Sequence, residues 1–98
     1  MCYERGRRFF TSLFIIFTYS NDIDTWRMGV TVSKKIGKAV LRNRIKRLVR
    51  EYFRLYQQKI PKGYDWIVIP KKHIEWKNIK FQDVEKDLNN FFSRSYLC

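Results

Sequence analysis

The sequence predicts one two-layer α/β domain, with helices packed on a small mixed sheet, and three observations lead there. Apolar residues alternate with period two over 26–33, and short runs apolar on both faces stand at 8–19 and 64–69. Apolar residues recur with helical period over 41–56 and over 81–92. No linker, internal repeat or low-complexity tract divides the 98 residues, a length that suits a single domain, so 1–98 is read as one unit. Strands and helices mixed in this order bury their apolar faces by laying helices on a sheet.

Each element follows in turn. Residues 8–19 are dense in Phe, Ile, Leu and Tyr and read as one strand, or as two joined by a kink. Leu13, Ile15 and Phe17 fall on one face, Phe14 and Ile16 on the other. The polar stretch NDIDT at 21–25 is a turn. Residues 26–33 alternate Met28, Val30 and Val32 with Arg27, Gly29, Thr31 and Ser33, and are expected to pair antiparallel with the preceding strand. Residues 34–38 connect, with Gly37 as pivot. Leu41, Ile45, Leu48, Val49, Tyr52, Phe53 and Tyr56 then mark one face of an amphipathic helix, which IPKG at 60–63 breaks. YDWIVI at 64–69 is apolar on both faces, the pattern of an interior strand. Pro70 ends it, 71–80 is a loop, and Phe81, Val84, Leu88, Phe91 and Phe92 give a second amphipathic helix.

The charge is the feature that points to function. The formal net charge is +12. That balance calls for a polyanionic partner, nucleic acid first and anionic membrane second. Between residues 34 and 50, eight of seventeen side chains are Lys or Arg and none is acidic. On the helical wheel Asn43, Arg47, Arg50 and Arg54 lie opposite the apolar face, Arg44 and Lys46 flank them, and Arg42 is nearer the apolar boundary. Most charge runs are solvated helix faces. Two features argue otherwise here. An inert surface helix mixes signs to gain i, i+4 pairs, yet Glu51 is the only acidic residue on this one. Arg42, Arg44 and Lys46 also sit in the first turns, where the helix dipole disfavours each cation by about 0.3–1 kcal/mol. Rules broken together in one place mark a functional site. Strands, not a second helix, precede the basic helix, so a helix-turn-helix is absent, and aromatics on a neighbouring sheet suit single-stranded RNA better than duplex DNA.

Catalytic patterns are missing. His73 is the only histidine, no Ser/His/Asp set or P-loop is present, and the nine carboxylates show no two-metal spacing, so neither a catalytic nor a metal site is assigned to the chain. Cys2 and Cys98 form no disulfide framework, and a reducing cytoplasm is the expected compartment. The apolar run after Arg5, Arg7 and Arg8 is interrupted by Thr11 and Ser12 and lacks a small-residue cleavage site, so export is not expected. It is also far short of the roughly 20 residues of a membrane span.

At the basic helix the sequence resembles the protein subunit of bacterial ribonuclease P. The matching run is RMGVTVSKKIGKAVLRNRIKRLVREYFR, 27–54, with the Arg42-Asn43-Arg44 motif at its centre. GYDWIVI resembles the family's last strand, and RGRRF at 5–9 the stretch after its first helix. The resemblance implies a left-handed β-α-β crossover, where general handedness rules favour the right-handed form. It implies that a partner RNA is the catalyst, cleaving precursor tRNA with bound divalent metal, Mg2+ being expected. The protein holds the catalytic RNA and the 5′ leader of the substrate. Carried over, the catalytic RNA meets Lys34, Lys35, Lys38, Arg42, Asn43, Arg44, Lys46, Arg47 and Arg50. The leader meets Tyr3, Ile15, Phe17, Arg42 and Lys46 in a cleft on the open sheet face.

The sequence departs from the family pattern twice. The family's first helix is expected to be truncated, with only its tail, around Tyr3, represented. Pro70-Lys71 replaces an Ala-Arg pair after the last strand, which keeps a charge and loses a bidentate donor. A structural RNA-binding protein of ribosomal type is the main competing class, and a DNA-reading factor the third.

Overall fold

The computed structural model describes residues 7–93. Its order is β1 (Arg7–Phe10), β2 (Phe14–Ser20), β3 (Arg27–Val30), α1 (Ala39–Leu55), β4 (Tyr64–Pro70) and α2 (Phe81–Phe92). Short 3-10 turns occupy Lys34–Ile36, Gln57–Lys59 and Trp76–Asn78. The helix tail expected around Tyr3 lies outside the described residues, as do Arg5, Cys2 and Cys98.

The four strands form one sheet in the order β1-β2-β4-β3. Residues 8–19 fall in two strands, as the second of the two readings has it, but a tight turn rather than a kink joins them. β1 and β2 are a hairpin, Phe9 opposite Ile16 and Phe10 opposite Ile15. The expected pairing of residues 26–33 with the strand before them is also corrected. β3 pairs only with β4, in parallel, and β4 pairs antiparallel with β2 on its other side. Burial explains this order. β4 turns Trp66 and Val68 into the core and keeps Ile67 and Ile69 half-buried on the far face, so it needs a neighbour along each edge. β3 is four residues long and exposes Arg27 and Gly29, which suits an edge. Between the two parallel strands the chain crosses over through α1.

Both helices cover one face of the sheet. α1 buries Ile45, Val49, Tyr52 and Phe53, and α2 buries Val84, Leu88, Phe91 and Phe92, the stripes that the periodicity marked. They meet Phe14, Ile16, Trp66 and Val68 from the strands. Each such side chain contributes about 1.5–3 kcal/mol by leaving water. Trp76, in the loop after β4, joins this core: it is 2% exposed, its ring lies 5.4 Å from that of Phe14, and its Nε1 donates to Lys71 O at 2.7 Å. Gly63 enters β4 at φ +82, a left-handed conformation that a side chain would strain. Gly37 needs no such freedom, its φ of 161 being extended, but a Cβ there would lie 2.8 Å from Leu41 Cδ2.

The opposite sheet face carries no helix among the described residues. Ile15, Phe17, Ile67 and Ile69 share it and remain partly exposed. Along its far end Asp65 accepts from Arg27 Nε at 2.9 Å, Arg27 Nη2 at 2.8 Å and Asn21 Nδ2 at 2.7 Å.

A candidate RNA interface

β3 and β4 run parallel, so α1 starts at the end of the sheet where β4 finishes. Residues 31–38 make that connection, and they deliver Lys34, Lys35 and Lys38 to solvent beside the first turn of α1. Lys38 occupies the N-cap and offers no side-chain bond to the first turn, which contains no acidic residue. The helix therefore begins with its positive dipole end and its cations unscreened by any carboxylate of its own.

The cations of α1 divide by what they touch. Asn43, Arg47 and Arg50 are exposed, Lys46 is partly exposed, and none of these side chains has a hydrogen-bond or ion-pair partner among the described residues. With Glu51 and Arg54 they line a groove of about 410 Å³. Glu51, the one carboxylate of the helix, is paired. Arg54 Nη2 meets its Oε2 at 2.5 Å, and this donation holds the Glu51 carboxyl below its ordinary range. The outward stripe is therefore cationic without an opposing free charge.

Arg42 and Arg44 differ. Arg42 Nε donates to Gly37 O at 3.2 Å, steadying the loop before the helix. Arg44 reaches across to the loop after β4, donating from Nη1 to Trp76 O at 3.2 Å and from Nη2 to Ile79 O at 2.6 Å. Two of its five donors are thus used in clasping residues 76–79 to α1. The sequence placed Arg44 with the RNA-facing cations, and nothing in its position announced the clasp, because the accepting carbonyls lie 32 and 35 residues away.

Sequence reasoning also passed over Asp87. It is buried on α2 and takes Thr11 Oγ1 at 2.5 Å and the backbone N–H groups of Ser12 and Leu13 at 3.1 Å each. One carboxylate thereby fixes the β1–β2 turn, and with it the placement of Ile15 and Phe17. A signal was present: Asp87 sits three residues after Val84 and one before Leu88, inside the apolar stripe of α2.

Of the residues expected to meet the leader, Ile15 and Phe17 share the open face, with Phe17 opposite Ile67 and Ile15 opposite Ile69. Phe17 is not core. Arg42 and Lys46 stand on the first turns of α1, and Tyr3 lies outside the described residues. Among the described residues no group of His, Cys, Asp and Glu is arranged to hold a metal ion. No helix there is long and apolar enough to cross a membrane.

Such a molecule has the build of a polyanion-binding α/β module, a cationic helix beside a sheet face that no helix among the described residues covers. Comparison with known proteins narrows the class. A family model described as Ribonuclease P matches residues 1–96. The ribonuclease P protein component of Fusobacterium nucleatum is 44% identical over 95 residues, covering 95% of this chain and 86% of that one. Its counterpart in Oleidesulfovibrio alaskensis is 45% identical over 80 residues, covering 80% of this chain, which spans only 64% of that relative's length. The solved ribonuclease P protein from Thermotoga maritima matches with a TM-score of 0.85 at 38% identity, covering 92% of this chain and 84% of that one. The Staphylococcus aureus protein matches at 0.78 and 35%, covering 90% and 79%. The chain belongs to the ribonuclease P protein family. Membership removes the ribosomal-type alternative and implies a ribonuclease P RNA as partner.

Proposed function

We propose that this chain, in the cytoplasm, binds the catalytic RNA of ribonuclease P through α1 and the loop before it, and holds the 5′ leader of precursor tRNA on the open sheet face. It thereby assists endonucleolytic removal of the leader. The observation that carries the proposal is the placement of Phe17 and Ile15, partly exposed, on a sheet face that no helix among the described residues covers, beside the first, cationic turns of α1. Lys34, Lys35, Lys38, Asn43, Arg47 and Arg50 supply donors to phosphates of the catalytic RNA. Arg42 and Lys46 stand between the two surfaces. Arg44 contributes chiefly by holding the 76–79 loop in place.

The chain's part in the chemistry is positioning and charge neutralisation. A divalent ion needs several oxygen donors, and the side chains of the proposed interface are mostly ammonium and guanidinium groups, with only the Asn43 amide and the Glu51 carboxylate, already paired to Arg54, to offer oxygen. The residues therefore do not fit a metal site, and the Mg2+ of the reaction is assigned to the RNA.

The test is reconstitution with a ribonuclease P RNA, followed by affinity measurements for precursor and mature tRNA. The wild-type protein is expected to strengthen precursor binding selectively. Phe17→Ala should reduce that preference by about the 1–3 kcal/mol of one base–aromatic stack. Because Phe17 is only half-buried, its stability cost should fall below the roughly 3–5 kcal/mol of a core Phe→Ala. Equal losses for the two tRNAs would remove the leader from this face.

A further inference from the structure

A second aromatic lies on the open face. Phe10 ends β1, at the edge of the sheet, with 56% of its surface exposed. Register places it opposite Ile15, and Ile15 opposite Ile69, so the three form one row across neighbouring strands. With Pro70 they floor an apolar hollow of about 420 Å³. Lys71, Lys72 and His73 border it. Cations already lie against the ring: Arg8 Cζ is 5.3 Å and Lys71 Nζ 5.8 Å from its centroid.

An aromatic ring over an aliphatic floor, rimmed by cations, meets the two needs of a nucleotide: a surface for the base and positive charge for the phosphate. The rim selects an anion over an apolar protein segment. We propose that Phe10 is a second base platform for single-stranded RNA, in which Arg8, Lys71 and Lys72 take the flanking phosphates. The proposal rests on the leader assignment above and extends it to these side chains. Phe17 follows Ile15 on the same face and stands opposite Arg8. Phe10 and Phe17 are therefore diagonal neighbours on adjacent strands, about 7–8 Å apart, a step that two successive unstacked nucleotides can take. The leader then crosses β1 and β2 obliquely. Arg8 and Lys71 shield the ring in the free protein, and their flexible stems let them turn to the phosphates when a base covers it.

The experiment uses holoenzyme reconstituted with a ribonuclease P RNA, and measures Kd for mature tRNA and for precursors with leaders of increasing length. Phe10→Ala, Phe10→Tyr and Lys71→Ala are compared with wild type, each with a thermal melt. Phe10→Ala should weaken precursor binding by roughly 5- to 150-fold, the range set by loss of one base–aromatic stack. The loss should set in at one leader length and persist beyond it. Phe10→Tyr should retain affinity, Lys71→Ala should lower the salt dependence, and binding of mature tRNA and of the catalytic RNA should not change. If Phe10→Ala leaves precursor affinity intact while wild type still prefers precursor to mature tRNA, the platform is overturned and the leader assignment stands. Equal losses for both tRNAs, or for the catalytic RNA, overturn the platform as well. A wild-type holoenzyme without any preference for precursor overturns both.

Discussion

Arg44 and Arg47 are three residues apart on α1, and the structure gives them opposite fates on truncation. Arg44→Ala removes the clasp to Trp76 O and Ile79 O. A hydrogen bond to a charged group contributes about 1.5–3 kcal/mol. Arg44 is partly exposed and water can reach the freed carbonyls, so the lower end applies and the pair should cost about 3 kcal/mol. In a domain of this size that lowers the melting midpoint by roughly 12–24 °C. Arg47 has no partner among the described residues, and Arg47→Ala should stay within about 0.5 kcal/mol of wild type. Its effect should fall on RNA. Removing one phosphate-neutralising cation lowers the slope of log affinity against log salt by about 0.7–0.9. Urea denaturation of the free variants, then titration of the catalytic RNA at several salt concentrations, separates the two. An Arg44→Ala protein as stable as wild type, or an Arg47→Ala protein as unstable as Arg44→Ala, would refute the division of α1 into clasping and RNA-facing cations.

Other substitutions test the remaining interactions. Asp87→Ala should destabilise by about 2–4 kcal/mol, because it strands the Ser12 and Leu13 N–H groups; chemical denaturation reads this, and Asp87→Asn, which still accepts at one oxygen, should lose less. The Asp65 carboxyl is held below its ordinary range, first by the hydrogen bond from Arg27 and then by that from Asn21. A depressed carboxylate adds stability above its unfolded pKa and loses it as pH falls through the folded value, so Asp65→Asn should flatten the acid limb of a stability–pH profile and leave the neutral-to-alkaline limb in shape. Identical acid limbs would discount the Arg27 pair. Protein freed of all RNA should not cleave precursor tRNA at any magnesium concentration, and cleavage by such a preparation would assign reacting groups to the chain.

What the sequence disclosed was mostly what periodicity encodes. The stripes of α1 and α2 are local patterns, and the structure starts and ends α2 where the apolar residues do. β4 was recognisable as interior because both of its faces are apolar. The choice of neighbours was not recognisable. β3 could as well have paired back onto β2, since antiparallel pairing needs only a turn, and the decision went to β4, which arrives 34 or more residues later and offers a parallel edge. The same distance hid the clasp of Arg44 and the anchor of Asp87. In each, a polar group's partner is a backbone atom, and backbone atoms have no letter in a sequence. The stripe opposite the core on α1 was read correctly as outward-facing, because exposure, unlike partnership, follows from the wheel alone.

The position of β4 also sets an order on synthesis. β1 and β2 can close as a hairpin as soon as residue 20 is free, and α1 can form from its own residues. β3 has no strand to join until Tyr64–Pro70 emerges. Until then β2 presents one unpaired edge, and the apolar side of α1 has only half a sheet to cover. A ribosome-bound chain therefore completes its sheet in a single late step, when β4 enters between two strands already waiting, and α2 follows to close the core. Arrest of translation before residue 64 should leave β3 protease-sensitive, and release past residue 70 should protect it.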